Sequence, residues 1–153
     1  MEFNILPNKG LKKISFGISH LEVRKVFKQQ PESFSRGDYP DFPYDYYEAE
    51  GAFFYYDADG HLEAIEFVRP ARAQLSGVDL LSLRLDEAIT TLSSLDTDVQ
   101  KDADGAIAYG IGVGLYAPLA SDDAAASIES VIAFRPDITM KIKSKCSAYK
   151  PAA

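Results

Sequence analysis

Carboxylates and tyrosines crowd one stretch of the chain, and these are the side chains best suited to acid–base chemistry or to binding a cation. Residues 37–68 contain nine of the 23 acidic residues, ten of the 18 aromatic residues, and no Lys or Arg. Because successive side chains of a strand point to opposite faces, only about half of these rings can enter a core. Several tyrosines should therefore lie at the surface among carboxylates.

Such a surface suits a protein partner. Tyrosine is large, stiff and amphipathic and is enriched where interfaces bind most tightly, while carboxylates speed the encounter with a basic protein. The alternative is structural, since tyrosines are common in strands and acids near turns maintain solubility. The binding interpretation predicts a face for a basic protein partner. The predicted face comprises Asp45, Tyr46, Tyr47, Glu48, Glu50, Asp57 and Asp59.

Other chemical motifs are weak. The chain has two histidines and one cysteine, Cys146, so a thiolate metal cluster cannot form and histidine-based schemes are severely restricted. The sequence Asp-Ala-Asp-Gly at 57–60 invites a calcium interpretation, but Tyr55 stands where the loop needs its first carboxylate. The glycines between Gly110 and Gly114 lack the ending of a phosphate-binding loop. We expect no cofactor and no metal.

Length and charge limit the class of protein. A chain of 153 residues with 46% hydrophobic and 25% charged residues is typical of one globular domain, here 1–153. The formal charge of −7 argues against nucleic acid, whose phosphates are bound by Lys and Arg. No stretch resembles a secretory signal or a membrane-spanning helix. With a single cysteine, a reducing cytosol is the expected location.

Capping and periodicity predict two helices. Ser19 and Glu22 have the spacing of a capping box, and the apolar stripe that follows predicts a helix over 20–28. Apolar residues at spacings of three and four predict a second helix over 86–95.

Aromatic and apolar runs predict the strands, and Asp-Ala-Asp-Gly at 57–60 predicts a hairpin turn between two of them. The same four letters recur at 102–105. The expected fold is α+β, with two helices packed on a mostly antiparallel sheet of about six strands. The predicted strands are 43–48, 52–57, 61–68, 97–101, 106–116 and 127–134.

Each half of the chain thus reads as a helix followed by three strands, an αβββ unit, which suggests a pseudo-repeat of residues 15–70 and 80–136. Both last strands lead into Arg-Pro, at Arg69 and at Arg135. The two Asp-Ala-Asp-Gly turns fall at different places in the halves, so chance similarity of common turns is the alternative. Residues 144–153 are expected to form a frayed tail.

Several segments together resemble one group of small proteins. The segments are Gly-Ile-Ser-x-x-Glu-Val-Arg at 17–24, Asp-Tyr-Tyr at 45–47, Tyr-Tyr-Asp-x-x-Gly at 55–60, Ala-Ile-Glu-Phe at 64–67, 110–118 and 129–134. The group consists of bacterial cytosolic proteins, some of which resemble immunity proteins that neutralise the toxin domains of interbacterial competition systems. Because the shared motifs are caps, turns and strands, the resemblance implies a common fold and carries over no active-site residue.

Three classes of function follow from these observations. The leading one is a non-enzymatic, immunity-type inhibitor whose acidic, tyrosine-rich face covers a basic toxin domain. The second is a small enzyme that uses paired carboxylates on a cationic or sugar-like substrate, which requires a pocket with one raised carboxyl pKa. The third is a structural module that buries its aromatic face against a second copy.

Overall fold

Two helices and twelve strands make up the part of the chain that the computed structural model describes, residues 1–35, 42–123 and 126–138. The predicted frayed tail, 144–153, lies outside these residues. The helices are α1 (His20–Val26) and α2 (Leu85–Ser93). None of the described helices has the length and apolar character needed to cross a membrane. The strands are β1 (Glu2–Leu6), β2 (Gly10–Leu11), β3 (Glu32–Phe34), β4 (Tyr44–Tyr47), β5 (Ala52–Tyr56), β6 (Leu62–Val68), β7 (Arg72–Leu75), β8 (Val78–Asp79), β9 (Val99–Asp102), β10 (Gly105–Ala108), β11 (Val113–Tyr116) and β12 (Ser130–Phe134). Short 3-10 helices occupy Leu80–Ser82, Pro118–Ser121 and Pro136–Ile138.

The α+β class and the large antiparallel sheet are confirmed, but the number of about six strands is wrong. An antiparallel sheet of eight strands has the order β3-β4-β5-β6-β12-β11-β10-β9, and a second sheet has the order β2-β1-β7-β8. In the second sheet, β1 and β7 are parallel. Strands β2, β3 and β8 have two or three residues each, too few to show a period of two.

One predicted strand, 106–116, is two strands joined by a turn. The turn depends on Gly112, which has a φ of +70° and whose added Cβ would lie 2.6 Å from the carbonyl oxygen of Phe134. Asp96 supports it, since its Oδ2 accepts the backbone N–H groups of Gly110 and Ile111 at 2.6 and 3.1 Å. The glycines are therefore needed for a hairpin, β10–β11.

Both helices begin within one residue of the predicted start and end two residues before the predicted end. Ser19 caps α1, with its Oγ accepting the backbone N–H of Glu22. At the start of α2, the carboxylate of Glu87 accepts the backbone N–H of Arg84 at 3.0 Å. Satisfying these free amides fixes the N-terminus of each helix.

The order of elements is the same in the two halves of the described chain. Two strands, a helix and four strands run from β1 to β6, and the same series runs from β7 to β12. Each set of four strands forms an antiparallel meander, and the two meanders join where β6 pairs with β12. A helix is thus followed by four strands rather than three, and internal duplication stays a prediction.

The main core lies on one face of the large sheet, here called the inner face. Phe54, Ile65 and Phe67 are fully buried there, and the ring of Phe3 from β1 lies 5.1 Å from that of Phe67. This contact places the second sheet against the inner face, and Val23 of α1 joins the same core. The opposite, outer face carries a smaller apolar cluster, here called the outer cluster, which consists of Ala64, Tyr109, Ile132, Phe134 and Ile138.

The turn between β4 and β5 allows a test of this packing. Gly51 has a φ of +70°, its carbonyl accepts the N–H of Val68, and an added Cβ would lie 2.2 Å from the carbonyl oxygen of Val68. Gly77 has a similar φ of +80° but open space around it. We expect Gly77→Ala to lower the free energy of unfolding by about 1–2 kcal/mol through backbone strain. Gly51→Ala should lower it by about 3 kcal/mol or more, because a steric clash adds to the same strain. Urea unfolding of both variants measures the difference, and equal losses would contradict the packing described.

Candidate functional site

The β4–β5 hairpin divides the predicted site residues between two faces. Asp45 and Tyr47 lie on the inner face and are 0% and 2% exposed, whereas Tyr46, between them, points outward and is half-buried. The alternation of side chains along β4 makes this division unavoidable. The expectation that Asp45 and Tyr47 share an outward surface with the other site residues is therefore corrected.

Asp45 forms a buried hydrogen-bonded network. Arg24 of α1 donates two hydrogen bonds to its carboxylate, from Nε to Oδ2 at 2.9 Å and from Nη2 to Oδ1 at 2.8 Å. The hydroxyls of Ser33 and Tyr56 donate to the same carboxylate at 2.7 and 2.9 Å. One side chain thus connects α1, β3, β4 and β5, which gives Asp45 a structural role.

The network decides the protonation of its members. Burial by itself raises the pKa of the Asp45 carboxyl, but hydrogen bonds from Arg24 and Ser33 outweigh it and hold that pKa below its ordinary value. Burial, reinforced by the charge of Asp45, raises the pKa of the Tyr47 hydroxyl to about 12, and raises that of Tyr56 as well. The tyrosines stay neutral and the carboxylate stays ionised at neutral pH.

On the outer face, aromatic rings form a continuous surface across β3, β4 and β5. Tyr46 stacks on Phe53 with ring centroids 4.2 Å apart, Tyr44 lies 5.2 Å from Tyr55, and Phe34 lies 5.5 Å from Tyr44. Phe34 is 40% exposed, Phe53 is buried, and Tyr44, Tyr46 and Tyr55 are half-buried. These five residues are called the aromatic face below. A surface of this kind combines apolar area with hydroxyls that still reach water.

Carboxylates flank the aromatic face. Glu32 lies beside Tyr46 in the β3–β4 pairing, Glu48 follows the end of β4, and both are exposed. Partial burial, followed by the negative charges of Glu48 and Glu32, raises the pKa of Tyr46. In the middle of the sheet, the hydroxyl of Tyr55 donates to Oε1 of the fully buried Glu66 at 2.7 Å. The face is thus negatively charged at its edge.

The remaining predicted residues lie apart from one another. Glu48 and the half-buried Glu50 belong to the turn that precedes β5, whereas Asp57 and the exposed Asp59 belong to the turn that follows it. Asp57 caps its own turn by accepting the N–H groups of Asp59 and His61 at 3.0 Å, and it pairs with Arg135 at 3.2 Å. The structure therefore brings Tyr46 and Glu48 together and leaves Asp57 and Asp59 at the opposite end of the strand.

Sequence reasoning missed part of the aromatic face. Phe34 and Glu32 lie outside the acidic stretch and outside the predicted strands. Phe53 and Tyr55 belong to an uninterrupted aromatic run, 53–56, in which no polar residue shows which rings turn outward. Residues 32–34 carry no periodic signal, because the strand has only three residues.

Two other features of the described residues have some of the properties of ligand sites. Asp57, Asp59 and His61 place ligand atoms within 4.8 Å of one another, but the cation of Arg135 already neutralises Asp57. A cleft of about 470 Å³ lies beside Arg69, whose guanidinium donates to the carbonyls of Leu81 and Ile128. None of the predicted site residues lines this cleft. It is lined by Arg69, Leu119, Asp122, Asp123, Ala126, Ser127 and Glu129.

Comparison with known proteins adds no relative: neither a family model, nor a curated protein, nor a solved structure matches the chain.

Removing the charge of Asp45 tests the buried network. Asp45→Asn leaves Arg24 without its anion. We expect the free energy of unfolding to fall by about 3 kcal/mol at pH 7, the low end for buried ion pairs, because Arg24 retains access to water. The folded pKa of Asp45 lies below its ordinary value of 3.8, so this stabilisation is present above that pH and is lost as the pH falls through the folded pKa. Urea unfolding at several pH values measures it, with the exposed Glu2→Gln as control. A constant difference down to the lowest pH would contradict the network.

Two buried tyrosines form a matched pair. The hydroxyl of Tyr47 has no hydrogen-bond partner among the described residues, whereas that of Tyr56 donates to Asp45. We expect Tyr47→Phe to be neutral or to stabilise by up to about 1 kcal/mol, and Tyr56→Phe to destabilise by about 2 kcal/mol. Thermal and urea unfolding decide the order, and a reversed order would show that the hydroxyls are assigned the wrong roles.

Proposed function

We propose that this protein is a non-enzymatic protein-binding module whose aromatic face docks a basic protein. The observation that carries the proposal is the clustering of the exposed Phe34 and the half-buried Tyr44, Tyr46 and Tyr55 on one face of a sheet. Exposed carboxylates lie beside them. Isolated exposed apolar residues are normal on a surface, but a contiguous patch marks an interaction site.

The two kinds of side chain have separate tasks in this proposal. Glu32 and Glu48 attract a positively charged partner over distance and raise the rate of productive encounters. Tyr44 and Tyr46 then provide contact area with few rotatable bonds, so little entropy is lost when they are immobilised. The rigid sheet below them keeps the surface in one shape.

The most specific form of the proposal is an immunity-type inhibitor of a bacterial toxin domain, acting in the cytosol. Its support is the net charge of −7, the negative edge of the aromatic face, and the resemblance of the caps, turns and strands to bacterial proteins of that type. Inhibition would follow from covering a basic surface, such as one with which a toxin holds its own anionic substrate. No catalytic residue is required for this mechanism.

Two carboxylates of the predicted site, Asp45 and Asp57, lack the property that the enzymatic alternative needs in its general acid. A general acid needs a raised pKa, whereas hydrogen bonds and cationic partners lower the pKa values of both Asp45 and Asp57 below their ordinary value of 3.8. For Asp57, burial raises its pKa, and hydrogen bonds from His61, Asp59 and Arg135 reverse that effect. Self-association through the aromatic face is the alternative that has to be distinguished from binding of a basic protein.

Charge reversal at the edge of the aromatic face tests the proposal. We expect the tagged wild-type chain to capture a basic protein from a lysate of its native cell. The double variant Glu32→Lys, Glu48→Lys should not capture it, because electrostatic attraction of the partner is replaced by repulsion. Once the partner is purified, its association rate with the wild type should fall about tenfold or more when the salt concentration rises from low to physiological and above. Stopped-flow or surface binding kinetics measure this.

The matched control is Glu2→Lys together with Asp104→Lys, which makes the same charge change on exposed residues away from the aromatic face. These variants should keep the partner and most of the association rate. Capture that is equal for the edge and control variants, or repeated failure of the wild type to capture any basic protein, would contradict the proposal. A concentration-dependent dimer that Tyr46→Ala disrupts would favour the self-associating module instead.

A further inference from the structure

Tyr46 has a defined place in a row of side chains that crosses the outer face of the large sheet. Glu32 of β3 is directly opposite Tyr46 of β4, and Tyr46 is directly opposite Phe53 of β5. Residues that are opposite in an antiparallel pair point to the same face, with Cβ atoms about 4.5–5.5 Å apart. The ring of Tyr46 therefore lies between a carboxylate on one side and a second ring on the other.

One face of the Tyr46 ring is already covered. The planes of the Tyr46 and Phe53 rings differ by 16°, and their centroids are 4.2 Å apart. Because β4 lies between β3 and β5, a Tyr46 ring that stacks on β5 turns its second face toward β3. Tyr46 is only half-buried, and this second face, on the side of Glu32, is the one open to a ligand.

The carboxylates beside this ring have no cation of their own. Glu32 and Glu48 are exposed, and neither forms an ion pair or a side-chain hydrogen bond with another residue that the structure describes. Asp45 and Asp57, by contrast, each pair with an arginine of the same chain. Partial burial, followed by the charges of Glu48 and Glu32, raises the pKa of Tyr46, so both anions act on this side chain.

The chemistry of this place fits an arginine side chain. A guanidinium is planar and stacks on an aromatic face, and its N–H groups can donate two parallel hydrogen bonds to one carboxylate. A lysine ammonium carries the same charge, but it is a compact point charge without a plane that could stack. A ring beside unpaired carboxylates therefore distinguishes two side chains that charge alone does not.

We propose that the aromatic face recognises an arginine of its partner, whose guanidinium stacks on the second face of Tyr46 and donates to Glu32, with Glu48 as the neighbouring carboxylate. The inference rests on the proposed function, because it names the side chain by which the basic protein is held. The two carboxylates supply the attraction, and the ring of Tyr46 supplies the preference for arginine over lysine.

Two blocked peptides of equal charge test the inference on the full chain. One is Ac-Gly-Arg-Gly-Arg-Gly-NH2, and the other has lysine in place of each arginine. NMR titration of the isotope-labelled protein gives both dissociation constants, and we expect the arginine peptide to bind about threefold more tightly, or better, as a cation–π contact predicts. In that complex, nuclear Overhauser contacts should join the arginine Hδ protons to the ring of Tyr46. Equal dissociation constants, or contacts that exclude Tyr46, would overturn the proposal.

A pair of tyrosine variants tests the stacking. Tyr46→Leu keeps an apolar side chain but removes the ring, and it should lower the affinity for the arginine peptide to that for the lysine peptide. The matched control is Tyr116→Leu, at a half-buried tyrosine of β11 outside the aromatic face, which should leave the preference unchanged. A preference for arginine that survives Tyr46→Leu would show that the ring does not provide it.

A pair of charge variants tests the carboxylates. Glu32→Gln with Glu48→Gln should weaken the binding of both peptides, because both lose electrostatic attraction. Glu2→Gln with Asp104→Asn removes the same charge from exposed positions away from the aromatic face and should have little effect. Equal weakening by the two double variants would overturn the placement of the cation between Glu32 and Tyr46.

The result is separable from that of the proposed function. If the wild type captures a basic protein but binds the two peptides equally, the proposed function stands and the recognition of arginine is wrong. If the arginine peptide is preferred and contacts Tyr46 while no basic protein is captured, the recognition of arginine stands and the proposed function fails.

Discussion

The ion pair between Arg24 and Asp45 is the interaction on which the arrangement of the aromatic hairpin depends. A fully buried carboxylate is costly unless its oxygens are satisfied, and here four hydrogen bonds from three side chains satisfy them. Slipping β4 by one residue would turn Asp45 outward and bring Tyr46 into the core. The pair therefore holds one register, and with it the choice of which rings face solvent.

That register gives a single aromatic stretch two uses. Tyr47, Phe54 and Tyr56 fill the core beneath α1, while Tyr46 and Tyr55 lie on the outer face with Phe53 buried beside them. The abundance of acids and rings is thus partly a folding requirement and partly a surface property. Only the outward half, together with Glu32 and Glu48, supports the binding proposal.

The joining of two meanders extends the outer face beyond the hairpin. Because β6 pairs with β12, the surface continues from the aromatic face to the cluster around Phe134 and Ile138. The chain leaves the described structure at this cluster. The topology of the sheet thus places an apolar cluster beside the rings of the proposed site.

Local signals were enough for the helices, the α+β class and the turn at Gly60, because caps, periodicity and glycine conformations depend on residues close in sequence. They also identified the acidic, aromatic stretch. Other features depend on residues far apart in the chain. They are the pairing of Glu32 with Tyr46, the burial of Asp45 beside Arg24, and the choice of sheet face for each ring in the run 53–56. Tertiary structure alone decided these, because a strand's two faces are distinguished only by what packs against each of them.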